Sequence, residues 1–275
     1  MVGAAHSDNV PVCRALAAYA EELAATGDAQ VGDSFTDDPA ADALVKSDPN
    51  AFLIGVLFTQ GIPAERAWAG PYLLERRLGH LDLVRLTSER SAVADAVGRK
   101  PALHRFKVTL AGWISDAAER LLECWDGDAS TIWPAGAHVL EVSERLSAFR
   151  GIGRKKAAMA VEILIRHFGV ALAGSECGTV AYDVQVRRVF LRSGLVDHDT
   201  PEDVAAAAAI ACPSAPGSLD LATWLVGRQW CRPKAPKCDE CPLGDVCERR
   251  VWLDAEGVGV RTRATRSSSP VTPAT

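Results

Sequence analysis

Apolar residues recur along this chain at helical spacing, and the segments they define predict an all-α protein. Residues 12–25 form a first helix with alanine and leucine on its face. Residues 27–50 are acidic, broken by Gly27, Gly32, Pro39 and Pro49, and read as loop with a short helix at 40–45. Asn50 caps a buried helix over 51–60, apolar on every side. Pro63 starts the next, over 64–78, in which Trp68, Tyr72 and Leu73 supply bulk. Arg76 and Arg77 stand near its C-terminus, where cations are favoured. Two short helices within 80–112 surround Gly98 and Pro101, and 127–136 is loop. A helix over 138–149 carries Leu140, Val142, Leu146 and Phe149. A further helix has Ala157, Val161, Leu164, Ile165 and Phe168 on one face. Asp183 opens another, containing Val184, Val186, Val189 and Phe190. Helices over 201–211 and 218–230 follow. Past residue 251 the apolar pattern fades, and 261–275 reads as a disordered tail.

Chemistry concentrates at Phe149-Arg150-Gly151-Ile152-Gly153-Arg154-Lys155-Lys156. Gly-Ile-Gly between two helical patterns is a tight hairpin, since glycine tolerates positive φ and close approach. Gly151 and Gly153 then lie at a helix N-terminus, where free N–H groups and the dipole favour an anion. With Arg150, Arg154 and Lys156 around it, this notch suits a nucleic-acid phosphate. Lys155 lies away from the apolar stripe of its helix and projects from the core. The short carboxylate of Asp183 is a natural N-cap that can face the same space.

Four of the eight cysteines are grouped as Cys231-x6-Cys238-x2-Cys241-x5-Cys247, with Pro233, Pro236 and Pro242 shaping the turns. Four thiols in one short loop bind metal in a reducing compartment. Zinc takes four thiolates, and so does a [4Fe–4S] cluster; the donor set alone leaves both open. Zinc ribbons usually pair two Cys-x2-Cys knuckles, and one is present here. Cys13, Cys124, Cys177 and Cys212 are scattered and read as buried thiols.

Gly-Ile-Gly-Arg-Lys, an aspartate opening a later helix, and Gly227-Arg228-Gln229-Trp230-Cys231 leading into the cysteine loop resemble the endonuclease III branch of the helix-hairpin-helix DNA glycosylases. The resemblance covers roughly residues 50–250. It implies two helical lobes with a cleft between them and a C-terminal [4Fe–4S] loop. The expected organisation is 1–50 joining the cluster-side lobe, 51–136 as a lobe with base-extrusion elements, 137–230 as the hairpin lobe, 231–250 as the cluster loop and 251–275 as tail. It implies Lys155 as the amine that attacks C1′ of a damaged nucleotide and Asp183 as the carboxylate that stabilises charge on the sugar. Leu53 to Gln60 is similar to the apolar helix whose glutamine fills the space left by an extruded base. Gly112-Trp113 matches the segment whose large apolar residue wedges into the duplex. Arg228, Arg232, Lys234 and Lys237 would face phosphates. Arg150 replaces the family's usual proline, Gly61 departs from its commonest pattern, and the connection over 169–182 is longer than usual.

Composition and charge bound the reading. The net charge of −5 argues against a general polyanion binder, but it is unevenly spread. Residues 1–50 hold nine Asp/Glu and two Lys/Arg, whereas 145–192 hold nine Lys/Arg and three Asp/Glu. One basic face on an acidic body can bind DNA through its local potential. No basic segment precedes an apolar stretch at the start, and the apolar runs at 51–58 and 204–212 are too short to span a membrane. The expectation is a monomeric cytoplasmic, nucleoid-associated glycosylase with AP-lyase activity on duplex DNA, oxidised pyrimidines first. A monofunctional glycosylase for another lesion, a non-catalytic DNA-binding scaffold and a zinc-stapled module are the competing readings.

Overall fold

The computed structural model describes residues 10–26 and 34–251. The expected tail over 261–275 and part of the acidic segment, 27–33, lie outside the described residues. The fold is all-α: among the described residues there are 13 α-helices and no strand, only an isolated parallel bridge between His138 and Ala173. No single helix among them is long and apolar enough to cross a membrane.

Two separate cores divide the molecule. The first joins α2 (Pro39–Ser47), α3 (Pro49–Phe58), α4 (Ala64–Trp68), α5 (Gly70–Leu78), α6 (Leu83–Ser88), α7 (Arg90–Gly98), α8 (Lys107–Cys124), α9 (Val139–Ser147) and α10 (Arg154–Arg166). The second joins α1 (Val10–Thr26), α11 (Val184–Ser193), α12 (Pro201–Ala211), α13 (Leu219–Gln229) and the cysteine loop. The first helix therefore belongs to the cysteine-side lobe, and the chain crosses back only after residue 172. The expected division at 136/137 does not coincide with the packing. α9 and α10 bury Val139, Val142, Leu146, Ala157, Val161 and Leu164 in the first core, which they share with α3 and α8, whereas α11 packs in the second.

α3 is the axis of the first lobe, with 51–58 all buried. Its cap is Asp48, whose carboxylate accepts from the N–H groups of Asn50 and Ala51. Asn50 does not cap the helix; it donates to the Gly127 carbonyl and accepts from Ala129 N–H, tying α3 to the turn after α8. The expected helix over 64–78 is broken at Ala69 into α4 and α5, with Gly70 pressed on the Phe58 ring. α8 begins at Lys107 and runs straight through Gly112 and Trp113.

Candidate active site and cysteine pocket

The hairpin between α9 and α10 is held from below by Phe149 and Ile152, both buried, and by Ile152 N–H donating to the Phe149 carbonyl. Gly151 has φ of 94°, and a Cβ there would fall 2.5 Å from the Trp113 indole, so the turn needs glycine both for its backbone and for room. Gly153 stands at the N-cap of α10 with no side chain to accept from the first N–H groups. That end of the helix is left polar and positive, with Arg154 and Lys155 exposed. Arg150 is also exposed and pairs with Asp116, which Arg90 holds on its other side. The two guanidinium groups, Arg90 first, hold the Asp116 carboxyl below its ordinary range.

α10 closes the first lobe, and α11 opens the second. At their junction the Lys155 ammonium lies 4.0 Å from Asp183 Oδ2. The Asp183 side chain is mostly covered, whereas that of Lys155 is half exposed. Asp183 caps α11 through Oδ1, which accepts from Gln185 N–H at 2.8 Å and Val186 N–H at 2.9 Å. One oxygen is thus fixed by the backbone, and the other faces the amine. The arrangement offers a mobile primary amine beside a rigid carboxylate, which suits covalent attack on an electrophilic carbon.

Lys156 does not reach a phosphate. One step round α10 from Lys155, it turns inward, is buried, and donates to the Leu57 carbonyl at 2.8 Å. That carbonyl is among the last four of α3 and lacks a helical partner, so the lysine closes the end of a distant helix. Burial, then the charge of Lys155, lowers its pKa to about 8. Trp113 is no exposed wedge either. It packs against the first core, under Gly151 and 5.5 Å from the Lys156 ammonium. Starting α8 at Lys107 places residue 113 two turns inside the helix, facing the hairpin.

Gln60 is exposed on a turn that ends α3. His104, a residue that the sequence pattern did not single out, holds this turn. Phe106 N–H donates to its Nδ1 at 3.0 Å, which leaves the proton on Nε2 to be donated to the Gln60 carbonyl at 2.8 Å. The ring is buried edge-on to Phe58, and burial holds its pKa below the ordinary histidine value. Phe106 follows at the start of α8, exposed, with the Arg105 guanidinium 4.7 Å over its ring and the Gly61 turn alongside. The sequence puts the expected wedging aromatic at Trp113, whereas the exposed aromatic beside the Gly61 turn is Phe106.

Cys231, Cys238, Cys241 and Cys247 line one pocket together with Arg192, Trp230, Gly244 and Arg249. Burial raises the thiol pKa of Cys231, Cys247 and Cys241, the last to about 11. Arg192 partly offsets this at Cys231. Thiols gathered at one pocket but disfavoured as thiolates fit a site whose charge a metal group balances. Among the described residues no group of three or more His, Cys, Asp or Glu side chains is placed to hold a metal ion. The thiols surround a space and do not converge on a point. Two arginines of α11 hold the loop: Arg188 donates to the carbonyls of Cys231 and Gly227, Arg192 to those of Arg232 and Pro233. Arg228 pairs with Glu65 of the other lobe and Lys237 with Glu240. Cys124 and Cys177 are exposed rather than buried, and Cys13 and Cys212 half-buried.

No family model matches the chain. Endonuclease III of Thermotoga maritima is 28% identical over 138 residues, 50% of this chain; the match spans 59% of that relative's length. A trapped covalent intermediate of endonuclease III with DNA superposes with a TM-score of 0.61 at 18% identity, over 86% of this chain and 94% of that one. A thermostable thymine-DNA glycosylase gives 0.58 at 13% identity, over 85% and 97%. The chain is endonuclease III-like in sequence across half its length and shares, across most of it, the two-lobed helical fold of the helix-hairpin-helix DNA glycosylases.

Proposed function

We propose that the protein is a base-excision DNA glycosylase with AP-lyase activity, acting on duplex DNA through Lys155. The observation that carries this reading is the exposed amine of Lys155, 4.0 Å from the capped carboxylate of Asp183, at the junction of the lobes. The bare N-terminus of α10, with Arg154 and Arg150, takes the phosphates on one side of the lesion. Gln60 fills the space that the everted nucleotide leaves, and Phe106, in place of Trp113, stacks on the neighbouring base. Asp183 Oδ2 stabilises positive charge on the sugar as the base departs. Lys155 gives one ammonium proton to solvent, its nitrogen forms a bond to C1′ as the bond from C1′ to the base nitrogen breaks, and the base leaves with a second proton from the lysine nitrogen. Opening of the sugar gives an imine between Lys155 and C1′. Loss of a C2′ proton then expels the 3′ phosphate and cuts the strand.

We assign the cysteine pocket to a [4Fe–4S] cluster rather than to zinc. Four thiolates on one tetrahedral zinc bind it at about 2.3 Å and crowd together, whereas these four line the wall of a pocket. When bound, the cluster supplies folding free energy to a loop with few apolar residues.

Borohydride trapping tests the central claim. Wild-type protein, incubated with duplexes carrying oxidised pyrimidines, uracil, alkylated bases, 8-oxoguanine or mismatches, forms a covalent adduct with at least one. Lys155→Ala forms none while still binding DNA. Base release without an adduct replaces the lyase by a monofunctional glycosylase, and no release from any duplex leaves a binding scaffold.

A further inference from the structure

The stretch that delivers Asp183 to the site has no helix or sheet of its own. Residues 178–183 run without helix or strand from the turn at Ser175–Cys177 to the start of α11. Backbone without regular partners must be held by side chains if its end is to be fixed. Val180 sinks into the second core, and the Tyr182 hydroxyl donates to Asp199 Oδ1 at 2.6 Å. Between them, Ala181 N–H donates to Asp220 Oδ1 at 2.7 Å, and both residues are buried. Asp220 opens α13, the helix that leads into the cysteine pocket.

The surroundings are built for this acid. Lys155, Glu162 and Arg166 are spaced to share one face of α10. The Glu162 carboxyl packs on Gly217, where a Cβ would fall 1.9 Å from Oε1, and lies close to Gly178. Arg166, Asp183 and Lys155 lie near enough to Asp220 to act on its charge, the two cations favouring its ionised form and Asp183 opposing it. The carboxyl thus sits near the polar seam where Glu162 of α10 meets Gly217, just before α13.

We propose that Asp220 is a positioning residue, whose Oδ1 anchors the Ala181 peptide and so sets the approach of Asp183 to Lys155. The inference rests on the lyase reading above and goes past it, since Asp220 touches neither substrate nor reacting atoms. It predicts that the acceptor oxygen matters more than the charge.

The experiment is single-turnover borohydride trapping on an abasic duplex, alongside binding to a duplex with a tetrahydrofuran site that cannot react. Asp220→Ala traps roughly tenfold to a hundredfold more slowly, as a misplacement of about 1 Å does, with duplex affinity unchanged. Asp220→Asn, which keeps the oxygen and drops the charge, recovers most of that rate. If Asp220→Ala does not accumulate as folded protein, Asp220→Thr fills the space without reaching the peptide and is read the same way. Trapping at the wild-type rate without the acceptor overturns the proposal. So does a loss of duplex affinity in step with trapping, or an Asn variant as slow as Ala. Failure of the wild type to trap is a separate outcome and removes the lyase reading instead.

Discussion

Glu162 is a carboxyl placed where ionisation costs most. Burial, then the negative charge of Asp220, raises its pKa to about 7, with Arg166 pulling the other way. Asp220 is raised to about 6, again by burial first, against the pull of the Ala181 N–H. An acid whose native pKa exceeds its unfolded value binds its proton more tightly when folded. Its stabilising contribution is complete below about pH 4 and is lost as pH rises through about 7. Glu162→Gln keeps the shape against Gly217 and abolishes that titration. At pH 8 the variant is expected to be more stable than wild type by roughly 1–3 kcal/mol, and at pH 5 by much less. Urea denaturation of both proteins at the two pH values reads the difference directly. An equal gap at both would mean that Glu162 is not ionising where its surroundings say it does.

At the scale of elements, α3, α8 and α10 meet at their ends. The C-terminal carbonyls of α3 are closed from elsewhere: Leu57 by Lys156, and Gln60 just beyond by His104. The turn that carries Gln60 is therefore tied to the hairpin helix and to the segment before α8. Phe106 lies by the Gly61 turn and Trp113 under Gly151, and their variants separate the two roles. Phe106→Ala weakens affinity for a lesion duplex by roughly tenfold, the worth of one stacked base, with little change in melting temperature. Trp113→Ala, which empties space under Gly151, costs roughly 2–4 kcal/mol of stability. Unchanged affinity in Phe106→Ala would return the wedge to another residue. This is also where the sequence was hardest to read. Spacing shows that Lys155 leaves the core and that Asp183 can cap a helix, because both follow from position within one element. Whether Lys156 turns to solvent or to Leu57, 99 residues away, depends on which helix packs beside it. The resemblance at Gly112-Trp113 put the expected wedge on Trp113, but α8 runs unbroken through both residues. His104 carries no local signal, since its partner is a distant carbonyl.

Among the described residues the two cores are linked through the seam at Glu162 and Gly217, the connection through 173–183, and the ion pair between Glu65 of α4 and Arg228 of α13. The lobes differ in how they are held. The first has a large apolar core around α3. The second ends in a loop that places Leu243 as a fully buried apolar anchor and leans on Arg188 and Arg192 for the rest. Those arginines bond to carbonyls and cannot by themselves offset the entropy of ordering residues 231–247. The proposed cluster would supply that order, and its loss would act on one lobe before the other. Wild-type protein is expected to be brown as purified, with about four irons per chain. Cys241→Ser is expected to lose colour and iron, and to unfold in two steps where the wild type unfolds in one. The early step would be α11–α13 with the loop, read by proteolysis between 231 and 247 and by the environment of Trp230 at the pocket wall. The late step would match the first lobe, whose core does not touch the pocket. Because Asp183 lies on the early lobe and Lys155 on the late one, trapping would vanish with the first transition. A colourless wild type that binds zinc, or a serine variant that unfolds in one step at the wild-type midpoint, would show that no iron–sulfur cluster orders the second lobe.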